Sequence, residues 1–136
     1  MKKIRVGITG DKLYEDRYKI KEFIFALKSR LQGDIEIIGL GDLNGADKHI
    51  RKYALELGYN YKEANLPHTQ KNLYSLMSES FHNRPYAPRN TYVRDKIYAG
   101  YIDLCVLFDT QNPLGRKCAN ILKEINKLKK NVVVIS

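Results

Sequence analysis

Leu104-Cys105-Val106-Leu107-Phe108, closed by Asp109, is an unbroken apolar run. A strand with one wet face alternates polar and apolar residues. A continuous run marks a strand buried on both faces, as a parallel sheet between helices requires. Working outward, Ile4-Arg5-Val6-Gly7-Ile8 stops at Thr9-Gly10, and Ile35-Glu36-Ile37-Ile38-Gly39-Leu40 stops at Gly41-Asp42. Val132-Val133-Val134-Ile135 follows the same pattern, and Tyr59 to Ala64 is a more polar strand candidate.

Helical spacing fills the gaps. Ile20, Phe23, Ile24, Leu27 and Leu31 recur at intervals of three and four, with Gly33 as the stop. Ala46, Ile50, Tyr53, Ala54 and Leu57 repeat the pattern before Gly58. Val93, Ile97 and Tyr101 form a shorter stripe, and Cys118, Ile121, Leu122, Ile125 and Leu128 form the last. Strands alternating with helices predict an α/β fold. The expected architecture is a Rossmann-like three-layer sandwich. It has about five mostly parallel strands, in the order 3-2-1-4-5, with helices on both faces. Residues 1–136 are expected to form a single domain.

Leu66 to Pro88 breaks the alternation. It carries Pro67, Pro85 and Pro88, His68 and His82, and a short helical pattern around Leu73 to Phe81. Connections of this length serve as lids or binding elements, or else are plain surface insertions.

Composition bounds the function. The chain has 136 residues, 43% of them hydrophobic, so it can bury a core. No apolar run approaches the length of a membrane span. The run after Met1 is broken by Arg5 and reads as a strand, not a signal peptide. Cys105 and Cys118 offer neither a disulfide framework nor metal spacing, which points to a reducing, cytoplasmic location. The histidines do not converge, so no metal site is expected. The net charge of +9 favours phosphate-bearing partners. Scattered lysines such as Lys127, Lys129 and Lys130 also serve plain solubility.

In open parallel sheets, ligands bind beyond the carboxyl ends of the strands. Three polar turns belong there. Thr9-Gly10-Asp11 follows the first strand. Gly41-Asp42-Leu43-Asn44-Gly45-Ala46-Asp47 follows the second and leads into a helix, whose free amides attract phosphate. Asp109 to Lys117, with Gly115 and Arg116, follows the fourth and precedes the last helix. Arg116 and Lys117 oppose that helix's dipole, a cost offset by a bound anion or by solvent. A further cluster, Arg89-Asn90 with Arg94, opens the helix before that strand; its guanidinium groups suit bidentate phosphate contacts. Asn90 reads as a helix cap or a ligand contact.

These clusters, in this order, resemble the SLOG superfamily, the Rossmannoid group that includes the cytokinin-activating LOG proteins and the DNA-processing Smf proteins. The pattern is most similar to the small YspA-related single-domain branch. That branch opens with a strand, Gly-Ser-Arg and an aromatic-x-Asp, matched here by Thr9-Gly10-Asp11-Lys12 and Tyr14-Glu15-Asp16. Its Gly-Gly-Ala-x-Gly-Ala-Asp motif corresponds to Gly41 to Asp47, its Arg-Asn pair to Arg89-Asn90, and its Asp-initiated apolar strand to Asp103 to Phe108. The Ser and Arg of the first motif are absent, as is the second glycine of the next, and Arg116 replaces a threonine.

The resemblance implies binding of a nucleotide or nucleotide-derived ligand, as a sensor or sequestering domain. No resident cofactor is required by this reading. Thr9, Gly10, Asp11, Gly41, Asp42, Asn44, Gly45, Asp47, Arg89, Asn90, Arg94, Asp109, Gly115 and Arg116 are the candidate ligand contacts. One alternative is a nucleotide N-glycosidase or deoxyribosyltransferase, with Glu15, Asp16, Asp42, Asp47 and Asp109 as the available carboxylates. LOG-type phosphoribohydrolysis is not expected, because residues 112–120 hold no carboxylate where that branch carries its loop glutamate. The second alternative is a nucleic-acid-binding module, which the charge and ten tyrosines permit. A symmetric homodimer is the base-rate expectation for assembly.

Overall fold

A computed structural model describes residues 3–136. The strands are β1 (Lys3–Gly10), β2 (Asp34–Gly39), β3 (Asn60–Glu63), β4 (Leu104–Phe108) and β5 (Asn131–Ile135). The helices are α1 (Arg17–Arg30), α2 (Ala46–Glu56), α3 (Arg89–Tyr101) and α4 (Arg116–Lys127). The sheet runs β3-β2-β1-β4-β5, and every pair is parallel.

Alternation along each strand splits the core in two. Val6, Ile8, Ile35, Ile37, Val106 and Phe108 pack with α1 and α2 residues such as Ile20, Ile24 and Ile50. Ile38, Cys105 and Leu107 pack with α3 and α4 through Tyr98, Ala99, Ile121 and Ile125. The two helical layers follow from this period of two. At the start of α1, Asp16 accepts a 3.2 Å hydrogen bond from the Lys19 amide. Both cysteines are buried, and burial pushes each thiol up to about 12, so neither is a reactive thiolate.

Three features depart from the sequence reading. The β5 run is not buried on both faces: Val133 is 51% exposed and Val134 44%. As the outer strand it pairs only with β4. The buried face of α3 is Arg94, Asp95, Tyr98 and Ala99, while Val93 is exposed. The apolar stripe misplaces that face because two charged residues occupy it.

The third departure is the 66–88 segment, which forms no helix over Leu73 to Phe81 beyond a single 3-10 turn at Glu79–Phe81. It packs beside β3 instead. Ser75 bridges to Glu63, the Glu63 amide donates to the Tyr74 carbonyl, and the Leu76 amide donates to the Glu63 carbonyl. His82 is buried there, its Nδ1 3.1 Å from the Thr69 carbonyl and its Nε2 2.8 Å from Ser75 Oγ. A ring held from both sides ties the segment to itself, and the backbone bonds with Glu63 join it to the sheet edge.

Candidate functional site

Parallel strands all end on one side, so the loops after β1, β2 and β4 meet there. A cavity of about 530 Å³ opens between them and α3. Asp11, Lys12 and Leu13 line it from the first loop, and Asp42 from the second. Tyr86, Pro88, Thr91, Tyr92 and Asp95 come from α3 and the segment before it. Gln111, Gly115, Arg116, Lys117 and Asn120 come from the fourth loop and α4.

The floor is a knit of carboxylates and loop amides. Asp109 accepts from the Gln111 amide at 2.9 Å and the Gly115 amide at 2.8 Å, which folds its loop back on β4. Asp11 accepts from the Leu13 amide at 3.0 Å and from Gln111 Nε2 at 3.4 Å. Gly115 fits this seam because a Cβ there would lie 2.7 Å from Asp11 Oδ1 and 2.9 Å from Gln111 Oε1. The start of α4 has no side-chain cap, and Gly115, Arg116 and Lys117 of its first turn line the cavity.

The loop before α2 and its first turn are tied to neighbouring elements through Asp42 and Asp47. Asp47 is buried; it accepts from Thr9 Oγ1 at 2.6 Å and from the Asp42 amide at 3.3 Å. Lys117 reaches across from α4, its Nζ 2.7 Å from both Asp47 Oδ2 and Asp42 Oδ2. Burial alone would lower this ammonium, but the Asp47 and Asp42 carboxylates outweigh it and hold Lys117 above its ordinary value. The unfavourable position of Lys117 in the first turn of α4 is thus offset by two carboxylates from β2–α2.

Of the Gly41 to Asp47 loop only Asp42 lines the cavity; the Ala46 amide at the start of α2 donates to the Asp11 carbonyl, and the Asp47 carboxylate is held by Thr9, the Asp42 amide and Lys117. Asn44 is exposed and lines no part of the cavity. Arg94 lies on the buried face of α3. It is only 3% exposed and does not line the cavity; its Nε is bonded to Asp95 Oδ1 at 2.9 Å, while its buried Nη1 has no hydrogen-bond partner. Burial raises the Asp95 carboxyl above its ordinary value, partly opposed by Arg94.

Arg89 is exposed on the first turn of α3 and outside the cavity lining. Asn90 does not cap α3: Pro88 holds the cap position, and the Asn90 amide donates to the Ala87 carbonyl. Thr9, Gly10, Gly41, Gly45, Asp47 and Asp109 support the rim from below or behind, while Asp11, Asp42, Gly115 and Arg116 line it. Glu15 and Asp16 belong to the approach to α1 and are also outside the lining.

Sequence reasoning missed Tyr86, Thr91, Tyr92, Asp95 and Gln111 as lining residues. The positions of Thr91, Tyr92 and Asp95 one and two turns into α3 were the available signal, since a helix opening at the rim presents its first turns there. Most of the 66–88 segment lies elsewhere; only its tail, Tyr86 and Pro88, reaches the cavity. Among the described residues, no group of three His, Cys, Asp or Glu side chains is placed to hold a metal ion. No described helix is long and apolar enough to cross a membrane.

No protein-family model and no curated protein sequence matches the chain. Solved structures do. The molybdenum cofactor carrier protein of Chlamydomonas reinhardtii superimposes with a TM-score of 0.66 at 20% identity, over 98% of this chain and 76% of that one. The molybdenum cofactor binding protein of Rippkaea orientalis gives 0.65 at 13% identity, over 98% and 77%. A structural genomics target, TM1055, gives 0.63 at 15%, over 97% and 72%. At these identities the likeness is one of fold: a five-stranded parallel Rossmann-like sandwich common to this chain and the molybdenum cofactor proteins.

Proposed function

We propose that the rim cavity binds a small, planar, phosphate-bearing molecule: a nucleotide or nucleotide-derived ligand. One observation carries this. The uncapped start of α4, with Arg116, lines the same cavity as two tyrosine rings, Tyr86 and Tyr92. Helix amides and a guanidinium suit a phosphate. Tyrosine faces suit a flat ring. Asp11 and Asp42 supply acceptors for ligand hydroxyl or amino groups. The phosphate belongs on the α4 side, away from the carboxylates of α2.

The fold likeness supports the superfamily level of the SLOG resemblance; the YspA-related branch is the finer part of this proposal. The carrier and binding roles of the two molybdenum cofactor proteins favour a second reading within the same ligand class, namely that cofactor itself. Sequestering or carrying the ligand in the cytoplasm, by a homodimer or a single chain, is the role that fits either reading.

The test begins with native mass spectrometry of the purified protein and molybdenum analysis of anything released. Calorimetry with a panel of nucleoside monophosphates, NAD and inorganic phosphate follows. Loss of a charge-assisted contact costs about 1.5–3 kcal/mol, so Arg116→Ala should weaken binding by about tenfold or more. Tyr92→Ala should weaken the nucleotides but not inorganic phosphate. If no member of the panel binds, or if Arg116→Ala leaves every affinity unchanged, this site assignment is wrong.

A further inference from the structure

Asp95 is the most deeply buried acid of the cavity lining, 2% exposed against 8% for Asp11. Its hydrogen bonding is incomplete. Oδ1 accepts from Arg94 Nε at 2.9 Å, and among the described residues no donor reaches Oδ2. The other two acids of the lining are differently placed. Asp11 Oδ2 accepts from the Leu13 amide and Gln111, and its Oδ1 lies against Gly115. Asp42 holds Lys117 at 2.7 Å, and its side chain is 37% exposed, so solvent fills its other oxygen. A carboxylate has room for about four donors. A buried ion pair offsets its desolvation only when further hydrogen bonds fill its remaining sites. The Arg94–Asp95 pair lacks them on both sides, since Arg94 Nη1 is buried without a partner. Burial holds the Asp95 carboxyl above its ordinary value, with Arg94 opposing it, as expected of a carboxylate short of donors.

The neighbours of Asp95 say what the missing donors belong to. Tyr92 precedes it by three residues, so one turn of α3 puts a ring and a carboxylate on the same face, and both line the cavity. Arg116 and Asn120, four residues apart, line it from α4. A flat base on the Tyr92 ring, with its phosphate at Arg116, turns an edge toward Asp95 and Asn120. Two adjacent N–H groups on that edge match the two oxygens of a carboxylate, as the fork of a guanidinium does. Guanine carries them, a ring N–H beside an exocyclic amino group, with a carbonyl next to them for the Asn120 amide. Adenine places an unprotonated ring nitrogen there, and its lone pair faces the carboxylate.

We infer that Asp95 is the specificity-determining residue of the cavity, and that it selects a guanine-type base over an adenine-type one. The inference rests on the reading of the cavity as a nucleotide site and names the class of nucleotide that it takes. Asp95 accepts the ring N–H and the amino group together. Arg94 is a positioning residue: it holds Oδ1 from behind the cavity wall and touches no ligand. A site whose buried acceptor is filled by one ligand and left unpaired by its analogue discriminates strongly between the two.

The test is calorimetry of the full chain with GMP, IMP, AMP and a GMP methylated at the ring N–H. GMP should bind about tenfold or more tighter than AMP. IMP keeps the ring N–H but lacks the amino group, and should fall between them. The methylated GMP should bind no better than AMP. Asp95→Asn replaces one acceptor by a donor, and should weaken GMP about tenfold or more without weakening AMP. A thermal melt checks that this variant is folded; if it is not, the ligand series on the parent decides alone. Equal affinity for GMP and AMP, or for GMP and its methylated form, overturns the inference while leaving the nucleotide reading of the cavity in place. A folded Asp95→Asn protein that still prefers GMP overturns the role of Asp95. If none of the nucleotides binds, the reading of the cavity fails and the inference fails with it.

Discussion

Replacing Lys117 by Met is expected to destabilise the fold by about 3–5 kcal/mol, the usual cost of removing one partner from a buried ion pair. Lys117 holds together parts of the chain 70 and 75 residues apart, with Nζ 2.7 Å from Asp47 Oδ2 and 2.7 Å from Asp42 Oδ2. Its side chain is 19% exposed, and that of Asp47 is 1%. Met keeps the length of the side chain but removes the charge. Two carboxylates then face each other, and Asp47 is too buried for solvent to compensate it.

The pH signature identifies the cause. In the parent, the folded Lys117 is raised above its unfolded value. Its contribution is therefore fully present below the ordinary lysine range and is lost as pH rises through the raised folded value. The variant lacks that alkaline loss. It should instead recover stability on acidification through the carboxylate range, where Asp47 can protonate. Urea denaturation of both proteins across pH checks this. Equal midpoints at neutral pH would show that the bridge contributes nothing net.

Gly45→Ala should be nearly as damaging, at about 3 kcal/mol or more. Gly45 has φ 67° and ψ −144°, a conformation open essentially to glycine alone, and forcing Ala into it costs about 1–3 kcal/mol. A Cβ at this position would also overlap the Lys12 Cα, carbonyl carbon and oxygen, adding about 1–3 kcal/mol of overpacking. The neighbour is backbone and cannot swing aside. The loop holding Lys12 would have to move, and Lys12 lines the cavity, so ligand affinity should fall with stability. Gly100→Ala makes the contrasting case. Gly100 lies within α3, and a Cβ there meets nothing within 4 Å, so Ala should stabilise by about 0.5–1 kcal/mol. Denaturation midpoints that move the same way for both variants would contradict this account.

Gly45 also shows where sequence reading stops. In the sequence, Gly45 stands among the candidate ligand contacts. In the folded chain the close approach is to the Lys12 backbone, and Ala46 N donates to the Asp11 carbonyl at 3.2 Å. The motif locks the first two loops together. Asp47, another candidate ligand contact, is the buried partner of Thr9 and Lys117. Arg94, expected at a phosphate, is buried beside Asp95. A residue type and its spacing show that a polar group lies near the rim. They do not show whether it faces the cavity or another side chain.

What the sequence determined by itself was the layered fold and the side of the sheet on which the loops converge. Unbroken apolar runs and three-and-four spacing are local patterns, and parallel strands must end together. Only the tertiary structure decided which charges remain available to a ligand. Lys117 with Asp47, Arg94 with Asp95, and the packing of the 66–88 segment beside β3 depend on distances between elements far apart in the chain or on how deeply one helix face sinks. Burial turns such pairs into internal supports, and no local pattern records that depth.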